Sequence, residues 1–246
     1  VSCADLPGPM ALREHAFCQA ATYGFNAAAD WRGEAAHEDG GARLRVFRQG
    51  TLWTEARVPM AGRHDLQNAL AAVAVAGILG ATPEAVAEAL PGFRGVRRRM
   101  EVFLEARGAV FIDDFAHHPT AIAGTASAAR ERWPGRRLWV IFEPRSNTTV
   151  TNCFQDEMDA AFEQADEVWL GPLNRRDRIP PETRLDRDRI VAALARKGVH
   201  AQYADDVAPL VADLTARVRE GDVVLIMSNG AFGNIYATLR KTFQAD

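Results

Sequence analysis

The stretch VFIDDFAHHPTAI, Val110–Ile122, decides the fold. An apolar run ends in two carboxylates. Two histidines and a proline follow, and then an alanine-rich segment begins. Pro119 suits the first position of a helix, and its ring pushes His118 out of helical geometry. The stretch therefore reads as a strand, a polar turn and the start of a helix. The same unit recurs downstream. RLWVIFEP (Arg137–Pro144) leads to a helix near Thr151–Ala165, and EVWLGPL (Glu167–Leu173) leads through a charged loop to Asp186–Lys197. HAQYAD (His200–Asp205) leads to Val207–Glu220, and DVVLIMSNG (Asp222–Gly230) leads to a last helix over Ile235–Phe243. Strands that are nearly continuous apolar runs are covered on both faces. Residues 95–246 thus read as an α/β domain with a doubly wound, mostly parallel (Rossmann-like) sheet. MEVFLEARGAVFIDDF, ahead of the first parallel strand, reads as two strands joined at Arg107-Gly108.

Upstream the pattern differs. Residues 1 to about 60 read as short strands and turns. TYGFN (Thr22–Asn26) is a strand, and RLRVFRQGTLW (Arg43–Trp53) is a hairpin turning at Gln49-Gly50. HDLQNALAAVAVAGILG (His64–Gly80) has helical spacing at Leu66, Ala69, Leu70 and Val73. ATPEAVAEAL (Ala81–Leu90) starts a second helix, with Thr82 as N-cap and Pro83 at the first position. GVRRRMEV (Gly95–Val102) is the expected joint between a part spanning 1–94 and a part spanning 95–246.

Composition excludes several classes. The 246 residues are 48% hydrophobic and 25% charged, an ordinary globular balance. A formal net charge of −3 gives no electrostatic reason for a nucleic-acid partner. The apolar runs fall far short of a membrane span, and the start does not read as a signal peptide. Three cysteines, Cys3, Cys18 and Cys153, show no CxxC spacing and read as free thiols in a reducing, cytoplasmic compartment. The chain starts VSCADLPG, without an initiator methionine, and reads as a processed protein or a piece of a longer one. It holds two lysines, Lys197 and Lys241, and neither follows a glycine, so it contains no GxxxxGK[ST] phosphate loop.

In a doubly wound sheet, ligands bind beyond the carboxyl ends of the strands. Three polar clusters fall there: Asp113-Asp114 with His117-His118, Glu143–Thr148, and Ser228–Asn234. The first cluster has three readings. It is a turn with a helix cap, a transition-metal site for a phosphohydrolase, or a nucleotide contact in which carboxylate accepts ribose hydroxyls and histidine donates to phosphate. The last is favoured, because the other histidines lack carboxylate company. In the second cluster Arg145 is either part of a plain strand-to-helix turn or a fork for a substrate carboxylate. The glycines of the third allow close backbone approach at a helix start. His64 and Asn68 share a helix face, and Arg97–Arg99 make a cationic joint.

Together YGFN, His64–Asn68, the Gly95–Glu101 joint, DDFAHHPT, EPRSNT and SNGAFGNI resemble the Mur ligase family, in order and along essentially the whole chain. The resemblance implies the end of a central α/β ATPase domain over 1–94 and the carboxyl-terminal domain over 95–246. It implies an ATP- and Mg²⁺-dependent amide ligase that proceeds through an acyl phosphate. DDFAHHPT resembles the muramate-dependent branch. EPRSNT and SNGAFGNI resemble enzymes that join UDP-N-acetylmuramate to the murein tripeptide L-alanyl-γ-D-glutamyl-meso-diaminopimelate in peptidoglycan recycling. The alternative is the L-alanine-adding branch, which usually has a histidine–arginine pair in place of Arg145-Ser146. Carried over by resemblance, His64, Asn68, Arg99, Asp114 and His117 contact ATP. Arg145, Ser146, Asn147, Thr148, Ser228 and Asn229 line the peptide site. Asp65 departs from the asparagine usual there. The phosphate loop and most Mg²⁺ ligands are expected upstream of Val1, so the chain is expected to be inactive alone.

Overall fold

The structure, a computed structural model, describes residues 1–13, 15–60, 62–93 and 95–244. It divides into two compact units, Val1–Gly95 and Val96–Asp246. Residue 94, at the end of the first expected domain, lies outside the described residues.

The first unit runs β1 (Ser2–Cys3), α1 (Pro7–Arg13), β2 (Thr22–Gly24), β3 (Trp31–Glu38), β4 (Gly41–Arg48), β5 (Thr51–Val58), α2 (Arg63–Ile78) and α3 (Pro83–Ala89). Its five strands pair in sequence order; β1, β2 and β3 are parallel and β3, β4 and β5 antiparallel. The expected hairpin turn forms with Gln49 at φ 50° and Gly50 at φ 82°. Two successive positive φ values match the twist of the flanking strands. Leu66, Leu70 and Val73 of α2 pack on Trp31, Leu44 and Val46 of the sheet. Thr82 caps α3 by accepting from the Ala85 N–H at 3.2 Å. Two features of this unit differ from the sequence reading. Residues 7–13 form a helix where only strands and turns were expected, since Pro-Gly-Pro signals a turn and the helix buries none of its residues. β3 also went unread, as its Ala-Ala-His end lacks strand-type residues.

The second unit runs β6 (Glu101–Ala106), β7 (Ala109–Asp114), α4 (Pro119–Arg132), β8 (Leu138–Phe142), α5 (Gln155–Ala161), β9 (Glu167–Leu170), α6 (Arg187–Ala195), β10 (His200–Tyr203), α7 (Val207–Arg217), β11 (Val223–Met227) and α8 (Ile235–Gln244). The sheet order is β10-β9-β8-β11-β7-β6, parallel except for β6 at the edge. Side chains alternate faces along each strand. Val110, Ile112, Val140, Phe142 and Leu225 meet α4, α5 and α6 through Ile122, Met158 and Ile190. Phe111, Trp139, Ile141 and Ile226 meet α7 and α8 through Leu210, Leu214 and Leu239. This is the doubly wound arrangement. The α5 helix is shorter than the expected Thr151–Ala165: Asn152–Phe154 forms a tight 3₁₀ turn first, and the helix stops at Phe162. No helix among the described residues is long and apolar enough to cross a membrane.

Candidate functional site

The topology brings the three polar clusters together. β11 enters the sheet between β7 and β8, and Met227 pairs with both Asp114 and Phe142. One residue further on, the Ser228 N–H donates to the Asp114 carbonyl at 3.1 Å and the Glu143 N–H to the Met227 carbonyl at 3.0 Å. The turns after these three strands therefore leave the sheet at one level, where the chain order reverses and ligands bind in such folds.

Arg98 staples this rim. Its Nε donates to Asp113 at 3.0 Å, and one terminal nitrogen donates to the Ser228 and Gly230 carbonyls at 2.7 and 3.1 Å. The Tyr236 hydroxyl donates to the other Asp113 oxygen at 2.7 Å. Burial, reinforced by the Asp113 carboxylate, pushes the Tyr236 hydroxyl well above its ordinary pKa. Tyr236 therefore remains a donor. Asp114 faces the opposite side of the sheet. It accepts the Met100 N–H at 2.9 Å and the Ala116 N–H at 2.7 Å, and its side chain is 4% exposed. As it stands, this carboxylate is bound to backbone, and a ribose hydroxyl has little access to it. Arg99 is half exposed, with one nitrogen 4.0 Å from Asp114. His117 Nδ1 lies 2.8 Å from the Phe115 carbonyl, while the His118 ring accepts from the Thr120 N–H at 3.4 Å and caps α4.

On the neighbouring turn Glu143 is buried and accepts the Ser228 hydroxyl. Arg145 lies 3.6 Å from Glu143, an ion-pair distance that is too long for a hydrogen bond. Ser146 is committed to the turn: its hydroxyl meets those of Thr149 and Thr148 at 2.7 and 3.1 Å. Asn147 and Thr148 are exposed. Ser228 is fully buried and accepts the Gly230 N–H at 2.9 Å. Asn229 Oδ1 is the one buried side-chain polar atom without a partner among the described residues. The second unit thus gathers Arg99, Asp114, His117, Arg145–Thr148, Ser228 and Asn229 at one rim. His64 and Asn68 are exposed on α2 of the first unit, with His64 Nε2 3.2 Å from Asp65.

Sequence reasoning placed Asp113, Glu143 and Gly230 in the polar clusters and Arg98 in the cationic joint without giving any of them a site role, and it missed Tyr236. Within Arg97–Arg99 nothing marks which guanidinium is held, and Tyr236 carries no motif. Among the described residues no group of three or more His, Cys, Asp or Glu is placed to hold a metal. The histidines beside Asp113-Asp114 are spent on a turn and a cap. The described residues offer no all-protein cage for a metal ion.

The fold and the rim define an α/β domain of the ligand-binding, doubly wound class. Residues 98–230 match the family model for the Mur ligase, glutamate ligase domain, and residues 5–76 match the Mur ligase middle domain. The chain belongs to the Mur ligase family. It is 37% identical to a UDP-N-acetylmuramate–L-alanine ligase of Bordetella petrii over 87% of this chain and 48% of that protein. Among solved structures, a murein peptide ligase from Psychrobacter arcticus is 31% identical with a TM-score of 0.65, covering 88% of this chain and 44% of that one. A UDP-N-acetylmuramate–alanine ligase from Thermotoga maritima has a TM-score of 0.73 at 23% identity, over 92% and 48% of the two chains, and shares the fold. The chain spans about half the length of the curated relatives it matches.

Proposed function

We propose that the protein to which this chain belongs is an ATP-dependent ligase forming an amide bond on the carboxylate of UDP-N-acetylmuramate. The observation that carries this reading is the match of residues 5–76 and 98–230 to Mur ligase domains; the rim after β7, β8 and β11 offers ligands the Arg99 and Arg145 guanidinium groups and the unpaired Asn229 amide oxygen. ATP supplies activation of the muramate carboxylate. Arg99 has donors to offer a nucleotide, while the His117 Nδ1–H is given to the Phe115 carbonyl and its Nε2 is left as an acceptor in the neutral ring. The ribose role of Asp114 requires its turn to open, because its oxygens already accept backbone N–H groups. Arg145 binds and orients the amine substrate through a carboxylate, as a planar guanidinium does.

Two amines compete for that place. L-alanine is the better supported by the curated relatives, which carry the name UDP-N-acetylmuramate–L-alanine ligase at 30–37% identity. The murein tripeptide, first suggested by EPRSNT and SNGAFGNI, rests on the 31% identity to the Psychrobacter murein peptide ligase and on Arg145 standing where a histidine–arginine pair is usual in the other branch. ADP release by the full-length protein, with UDP-N-acetylmuramate and either amine, separates them. A preference for L-alanine establishes the biosynthetic reading, and a preference for the tripeptide establishes the recycling one. Turnover with neither refutes the proposal. The 246-residue chain alone is expected to release no ADP, and release from it would show that its own residues suffice.

A further inference from the structure

The turn after β8 and the turn after β11 meet at a single point. A Cβ placed on Gly230 would lie 2.2 Å from Arg145 Nε, 2.3 Å from Cδ and 2.6 Å from Cζ. Gly230 is not among the glycines with positive φ, so its backbone would accept any L residue. A side chain at 230 would push the Arg145 side chain aside, so glycine is what leaves Arg145 in this position.

The rest of the slot is equally defined. Glu143, 5% exposed, faces Arg145 at 3.6 Å and takes the Ser228 hydroxyl. Ser228 in turn accepts the Gly230 N–H at 2.9 Å, and Arg98 holds the Ser228 and Gly230 carbonyls. Glu143, Ser228, Gly230 and Arg145 close a ring. The guanidinium groups of Arg98 and Arg145 differ sharply. That of Arg98 donates to three acceptors. That of Arg145 makes no hydrogen bond among the described residues and is 39% exposed. A cation lodged beside Gly230 and Glu143, with N–H groups not committed to protein acceptors, is positioned for a bidentate oxyanion.

We infer that Gly230 and Glu143 are positioning residues that preset Arg145 as the receptor for a carboxylate on the amine substrate. Gly230 thereby sets the preference for carboxylate-bearing amines. The inference rests on the reading of Arg145 given above and holds for either amine, since both carry a carboxylate.

The test uses the full-length protein, its Gly230→Ala and Glu143→Gln variants, and the preferred amine alongside the same amine with its carboxylates made carboxamides. Gln at 143 still accepts from Ser228 but removes the charge that faces Arg145. Both variants should raise KM for the amine about tenfold, with kcat within about threefold and the KM values for ATP and UDP-N-acetylmuramate within about twofold. Wild type should discriminate against the carboxamide by about tenfold or more, and Gly230→Ala should lose that discrimination. Equal changes for all three substrates, a rise confined to UDP-N-acetylmuramate, or retained discrimination would each overturn the inference. Thermal unfolding is measured in parallel and does not depend on the function. Gly230→Ala should lower Tm when Arg145 is present and spare it in an Arg145→Ala background. If the wild type turns over neither amine, the functional reading falls and the carboxylate-receptor role of Arg145 with it, whereas absence of this coupling overturns the positioning by Gly230 whatever the function.

Discussion

Asp113 and Asp114 are neighbours with separate tasks. Alternation along β7 sends Asp113 toward Arg98 and Tyr236 and Asp114 toward Met100, Ala116 and Thr125. The carboxylate pair is legible in the sequence, but its division of labour is not, because the partners lie up to 123 residues away. Asp114 accepts a backbone N–H on each oxygen, so an amide in its place would turn an NH₂ toward a donor. Asp114→Asn is expected to destabilise the second unit by about 1–3 kcal/mol, the cost of a buried group left unsatisfied. Urea unfolding measures it, and an unchanged midpoint would show that the carboxylate is not needed as a double acceptor. Arg98 and Arg99 make the same point in reverse. They are identical in type and adjacent, yet one is bound by three acceptors and the other is half exposed.

At the scale of elements, turn chemistry read well. Gln49-Gly50 and Arg107-Gly108 both form two-residue turns with positive φ, and Thr82 caps the helix that follows it, whereas His118, read in favour of a nucleotide contact, also caps a helix. The misses share a cause. α1 and β3 carry weak local preferences, so tertiary contacts decide them. Gly77 in α2 shows how packing outweighs propensity. Alanine there would gain about 1 kcal/mol as a helix former. Its Cβ, however, would sit 2.3 Å from Trp31 and 3.1 Å from Trp53, which themselves stack edge to face at 5.1 Å. Both are large, partly or wholly buried rings of the first core. Overpacking of this kind costs about 1–3 kcal/mol. Gly77→Ala is therefore expected to lower stability in denaturant titration, and a stabilised variant would show that the two tryptophans yield easily.

At the scale of the molecule, each unit contains its own core. The first is built from residues between Trp31 and Val86, the second from residues between Leu104 and Phe243. Residues 96–246 expressed alone are accordingly expected to fold, with one cooperative thermal transition and native-like near-UV circular dichroism. A molten or aggregated product would show that the second unit depends on the first. The sequence by itself determined the class of fold, the change of pattern near residue 95 and the three polar turns, because strand periodicity, helix caps and turn residues are local properties of the chain. Only the tertiary structure decided that β11 lies between β7 and β8, and hence that Ser228 meets Glu143 and Gly230 underlies Arg145. Pairing order in a parallel sheet is set by long crossovers and by which faces must be buried, and no short stretch of residues carries that information.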